Sequence, residues 1–115
     1  MTSGEKRKEL ATAAEASGKT MILQWVKGKM TLDEFLSVAE DRAAKKEMPG
    51  LKKFLENKIQ RIQEKRKSDI NGITVAARNG KVGCAVCSDL DQYNHKIGYF
   101  IARGRLNIRP QNING

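Results

Sequence analysis

Aromatic side chains make up only 5% of this chain of 115 residues: one Trp, two Tyr and three Phe. A core built from so few rings must be mostly aliphatic and thin, the kind formed by helices covering a small sheet or packing on one another. There are only two cysteines, one histidine and two prolines. That inventory is too small for a disulfide framework, and a structural zinc site, which needs four ligands, is short of them. Long apolar runs are missing too. The longest, Met21 to Val26, is interrupted by Gln24 and falls well short of the roughly 20 residues that span a bilayer. The N-terminus, MTSGEKRKEL, has no apolar secretory core, so a cytoplasmic protein with reduced thiols is expected. The length allows one domain with one core.

What the chain has in excess is positive charge. Formal net charge is +9, with 22 Lys and Arg against 13 Asp and Glu. Residues 1–70 hold 16 of the basic and 11 of the acidic residues, leaving 6 basic and only 2 acidic in 71–115. Such an excess attracts polyanions: nucleic acid, an anionic membrane or an acidic protein face.

Along the chain, Glu5 to Ser17 is rich in Ala and charged residues and is followed by Gly18, a pattern that predicts a helix with a glycine stop. Ser17-Gly18-Lys19-Thr20 ends like a phosphate-binding loop, but position 13 is alanine where that loop needs glycine. A helix C-cap accounts for it. Met21 to Val26, with the single Trp25, reads as a short core helix or strand. Thr31 and Glu34 form a capping-box pair, with Met30 and Phe35 spaced for a hydrophobic staple. Leu32, Phe35, Leu36, Ala39 and Ala43 continue that helix until Pro49-Gly50. Leu51, Phe54, Leu55, Ile59 and Ile62 form the stripe of the next helix, whose other face is strongly basic.

At Asn71-Gly72 the period changes to two, and Asn79-Gly80 is a two-residue hairpin turn of the primed type. Pairing across it puts Arg78 opposite Lys81, Ala77 opposite Val82, Val75 opposite Cys84 and Ile73 opposite Val86, so one face is apolar. Cys84 and Cys87, three apart in a strand, face opposite sides, which argues against a metal or redox pair; Cys84 is expected to pack. After Ser88-Asp89, the residues Tyr93, Ile97, Phe100, Ile101 and Gly104 share one helical face, with Asp89 and Gln92 as candidate caps. Residues 107–115 read as an irregular tail.

The expected fold is therefore α+β: a helical part over residues 1–70 with three or four helices, then a β-hairpin and a C-terminal helix over 71–106, packed on the hairpin's apolar face, then the tail. A mainly helical protein is the alternative. One domain spans 1–115. With no nucleophile beside a base and a single histidine, no enzyme, cofactor or metal is expected.

Two basic sets are candidates for partner binding. The first is Lys96, Arg103, Arg105 and Arg109 near Tyr93, Asn94 and Tyr99, a mixture of cations, amide and rings suited to phosphates and unstacked bases. The second is Lys58, Arg61 and Lys65 on the basic helix, where Glu56 and Glu64 are interspersed. Cys87-Ser88, Asp91-Gln92-Tyr93-Asn94, Lys96-Ile97-Gly98, Ile101-Ala102 and Gly104-Arg105 together resemble a pattern near the end of small basic accessory proteins of tailed bacteriophages. The resemblance covers residues 82–106. It implies a phage protein acting on host machinery such as a defence complex, and marks Asp91, Tyr93, Asn94, Lys96, Arg103 and Arg105.

The expectation is a non-catalytic binder of nucleic acid or of a nucleic-acid-containing host assembly. The alternative is an inhibitor of a host defence or nucleic-acid-processing protein, of the anti-CRISPR type, acting through a protein interface. No membrane partner is expected, and a thin core with a long amphipathic helix is compatible with a homodimer.

Overall fold

The computed structural model describes residues 20–114. Seven elements follow one another: β1 (Met21–Val26), α1 (Leu32–Lys45), α2 (Leu51–Arg66), β2 (Ile70–Arg78), β3 (Lys81–Ser88), α3 (His95–Ile108) and β4 (Gln111–Asn112). The strands form one antiparallel sheet in the order β1-β2-β3-β4.

This corrects the expected order of helices first and hairpin after. Met21–Val26 is a strand because Met21, Leu23 and Trp25 alternate onto one face and pair with Ala77, Val75 and Ile73 of β2, where that face is apolar as well. The helix expected over Glu5–Ser17, with its Gly18 stop and Lys19, lies outside the described residues.

The hairpin has the register expected from its turn: Arg78 opposite Lys81, Val75 opposite Cys84 and Ile73 opposite Val86. Asn79 and Gly80 both take positive φ, 52° and 79°, as the primed turn requires. The apolar face of the sheet meets α1 and α2 through Phe35, Leu36, Leu51, Leu55 and Ile59, all buried in a single cluster with Leu23, Trp25, Ile73, Val75 and Val82. Thr31 caps α1 with the capping box in place. The start of α2 is capped from a neighbour instead, since the Glu40 carboxylate on α1 accepts the backbone N–H groups of Gly50 (3.0 Å) and Lys52 (3.0 Å).

The last helix is on the other side of the sheet from the one expected. α1 and α2 already occupy the apolar face, and the opposite face of the hairpin carries Gly72, Thr74, Ala76, Gly83 and Ala85, small enough for a helix backbone to approach closely. A Cβ on Gly83 would collide with backbone atoms of Ala102 and Leu106, and one on Gly98 with the Thr74 hydroxyl. Gly98, Ala102, Arg103 and Leu106 are therefore the buried residues of α3. Ile97 and Ile101, expected to face the core, are 57% and 40% exposed. Its N-cap is Asn94, whose side chain accepts from the N–H groups of Lys96 (3.0 Å) and Ile97 (3.1 Å), in place of Asp89 or Gln92.

The tail is also more ordered than its composition suggests. Gln111 and Asn112 pair with Val82 and Lys81, and Ile113, buried in the main core, donates its N–H to the Gly80 carbonyl at 3.0 Å. The sheet is thus covered on both faces.

Overpacking at a backbone contact costs about 1–3 kcal/mol, whereas an exposed helical glycine gains up to about 1 kcal/mol on becoming alanine. Gly83→Ala is accordingly expected to lower stability in urea denaturation by at least that overpacking cost. Gly104→Ala, where a Cβ meets nothing within 4 Å, is expected to be neutral or stabilising.

Candidate functional site

Several of the sequence-selected residues turn out to build the fold. The Tyr93 hydroxyl lies 2.8 Å from the Thr74 hydroxyl and 3.4 Å from the Ile73 carbonyl, and its ring fills the space over Gly72. Burial pushes its phenol pKa up. Asn94 is committed to capping α3. Arg103 is buried, donates to the Tyr99 hydroxyl at 3.1 Å and places its guanidinium 5.4 Å from that ring's centroid. Tyr93 ties the lead-in of α3 to the sheet, while Asn94 and the Tyr99–Arg103 pair are engaged within the helix itself.

Lys58, Arg61 and Arg105 gather around the β3–β4 edge, because α2 flanks that edge on one face of the sheet and α3 on the other. Arg105 reaches round from α3 to donate to the Cys84 carbonyl at 2.7 Å. Lys58, half-buried on α2, also acts on Cys84: burial raises the thiol pKa, and Lys58 and Arg105 oppose that rise. Arg61 lies in a groove between α2 and the chain's last strand. This groove has a volume of about 590 Å³ and is lined by Gly50, Lys53, Phe54, Asn57, Arg61 and residues 110–114. Beside it, Lys81 donates to the Asn112 side chain. Lys65 is exposed four residues, one turn, beyond Arg61, and Arg109 is exposed just after α3. Lys96 is exposed in the first turn of α3, away from the groove lining.

Among the described residues no acidic one lines the groove. Glu40, which touches Gly50, is already occupied by backbone N–H groups. Three other carboxylates lie near the opposite end of the hairpin in ion pairs: Asp69 and Asp89 with Lys27 (3.6 and 3.2 Å), and Asp91 with Arg66 (3.3 Å). The Asp69 carboxyl is held below its ordinary value by the Ile70 N–H and the Gln63 amide. The described lining of the groove therefore offers guanidinium, ammonium and amide donors and no carboxylate, a chemistry for phosphate oxygens.

Lys53 is one cation among several on the basic face of α2, and Asn57, Gln111, Asn112 and Asn114 do not stand out in the sequence. The i+4 row Lys53-Asn57-Arg61-Lys65 is the signal that could have found the helical half of the groove. Nothing local places the tail amides opposite it.

The cysteines diverge as the strand register requires. Cys84 is in the core, and Cys87 is half-buried with its thiol 3.5 Å from the Asp91 carbonyl. Among the described residues no three His, Cys, Asp or Glu side chains converge on a point that could hold a metal ion. No helix of the described residues is long and apolar enough to cross a membrane. No family model, curated protein or solved structure matches the chain.

Burial and Asp91 both raise the Cys87 thiol above its ordinary 9.0. Less thiolate is then present at pH 8 than in a free cysteine peptide, so alkylation of Cys87 is expected to be slower than in that peptide and to keep accelerating above pH 9. Cys84 should react only on unfolding. Fast labelling of both at pH 7, followed by mass spectrometry, would contradict this.

Proposed function

We propose that this protein is a non-catalytic nucleic-acid binder whose contact surface is the groove between α2 and the C-terminal strand, with Lys53 and Arg61 on phosphates. One observation carries the reading: the groove brings cations and amides from two distant parts of the sequence together while the nearby carboxylate is already bonded. Lys58, Lys65, Lys81 and Arg109 extend the positive surface around the edge, so phosphate neutralisation supplies most of the affinity. The amides of Asn57, Asn112 and Asn114 are suited to sugar or base edges. The resemblance of residues 82–106 to phage accessory proteins supports a nucleic-acid-containing host assembly as the setting.

A second reading, a protein interface, is favoured by a different observation. Three isoleucines of α3, Ile97, Ile101 and Ile108, are 57%, 40% and 76% exposed on a protein with little apolar side chain to spare.

The groove reading is tested by fluorescence anisotropy of the nuclease-treated protein with short single- and double-stranded DNA and RNA over a salt series. The wild type is expected to bind with a steep salt dependence. Lys53→Ala with Arg61→Ala should weaken binding alike on all sequences and flatten the log–log salt slope by about 2, one for each phosphate no longer neutralised. An unchanged slope in that double variant would remove the groove from the interface.

A further inference from the structure

Ile97, Ile101, Gly104 and Ile108 recur along α3 at spacings of four, three and four, the seam spacing of two helices packed side by side. The seam is separate from the face α3 turns to the sheet, where Gly98, Ala102 and Leu106 are buried. With Phe100, Arg105 and Arg109, these seam residues line an open groove of about 520 Å³. Three isoleucines clustered on one face and rimmed by cations, unlike apolar residues scattered singly, suit an interaction site. At its middle, Gly104 leaves a gap in which a Cβ would meet nothing within 4 Å. Ile101 and Ile108 flank the gap, making a hole for a large apolar side chain of an incoming helix.

The charge beside α3 selects the occupant. From His95 to Ile108 there is no acidic residue, Arg105 and Arg109 line the groove beside the seam, and Lys96 is exposed in the first turn. Asp91, in the cavity at the Ile97 end, is paired with Arg66. A second copy of α3 would bring the same cations with no carboxylate to meet them. Nucleic acid has no use for three isoleucines, which offer no face for base stacking. We infer that the outer face of α3 is the docking site for an amphipathic, acidic helix of a partner protein, with one large apolar side chain seated at Gly104 between Ile101 and Ile108. This rests on the protein-interface reading of α3; its surface shares Arg109 with the positive edge but neither Lys53 nor Arg61 of the groove on α2.

The test uses three synthetic three-heptad helical peptides that share the same leucine seam and carry Glu, Gln or Lys at the flanking positions, titrated with the full chain by fluorescence anisotropy. The Glu peptide is expected to bind at least tenfold more tightly than the Lys peptide, with the advantage shrinking at high salt. Ile101→Asp and Gly104→Leu are each expected to weaken that binding tenfold or more; Ile101 is exposed, a Cβ at Gly104 meets nothing within 4 Å, and circular dichroism checks that the fold is kept. Lys53→Ala with Arg61→Ala should leave it unchanged. Equal binding of all three peptides, abolished in Ile101→Asp, would overturn the acidic partner and leave the protein interface standing. Binding of none would overturn both. A dimer in sedimentation equilibrium that Ile101→Asp abolishes would overturn the inference in favour of a second copy.

Discussion

The backbone of α3 rests directly on Gly83, and the rest of the architecture follows from that contact. A helix can lie so close to a sheet only where the strands carry almost no side chain. Gly72, Thr74, Ala76, Gly83 and Ala85 provide such a surface on one face of the hairpin, with Gly98 and Ala102 answering from the helix. The contact fixes which residues of α3 are inside. It turns Ile97, Ile101 and Ile108 outward, and it brings Arg105 round the edge of β3 to the Cys84 carbonyl. Tyr93, laid over Gly72, and Asn94, capping the helix, hold the approach to it.

The hairpin register and the capping box of α1 are legible in the sequence because each is set by a few neighbouring residues: the Asn79-Gly80 turn in one case, Thr31 and Glu34 in the other. The strand character of Met21–Val26 is not, since six largely apolar residues carry little period of their own and only pairing with β2 distinguishes strand from helix. The buried face of α3 differs from the expected one for a physical reason. Hydrophobicity points to the isoleucines as core, whereas burial is decided by steric access, and small residues win on both partners. The order of residues 111–113 has a faint signal in Ile113, one apolar residue in a polar tail, but its pocket is made by residues far away in sequence. The candidate site is legible only in part. Arg61 and Lys65 fall on a readable helical row, while Tyr93, Asn94, Tyr99 and Arg103, whose chemistry suits a ligand, are used in building the molecule.

Charge follows the same layered plan. α2 and α3 lie on opposite faces of the sheet and both turn cations toward the β3–β4 edge, so residues distant in sequence form one positive surface. Asp69, Asp89 and Asp91 are tied to Lys27 and Arg66 near the other end of the hairpin. The outer seam of α3 lies beside this surface and has a different character, apolar at its centre and basic at its rim. The two adjoining surfaces differ in chemistry, one lined by cations and amides, the other by isoleucines with a basic rim.

The orientation of α3, measured by NMR on the isolated protein with a soluble paramagnetic agent and NOESY spectra, tests this packing most directly. A helix seated on Gly83 requires NOEs from the Gly83 α-protons to the amide of Leu106, and strong paramagnetic broadening of the Ile97, Ile101 and Ile108 methyl groups. Protected isoleucine methyls with NOEs to Val75 or Val82 would place α3 on the other face and contradict both the packing and the surfaces derived from it.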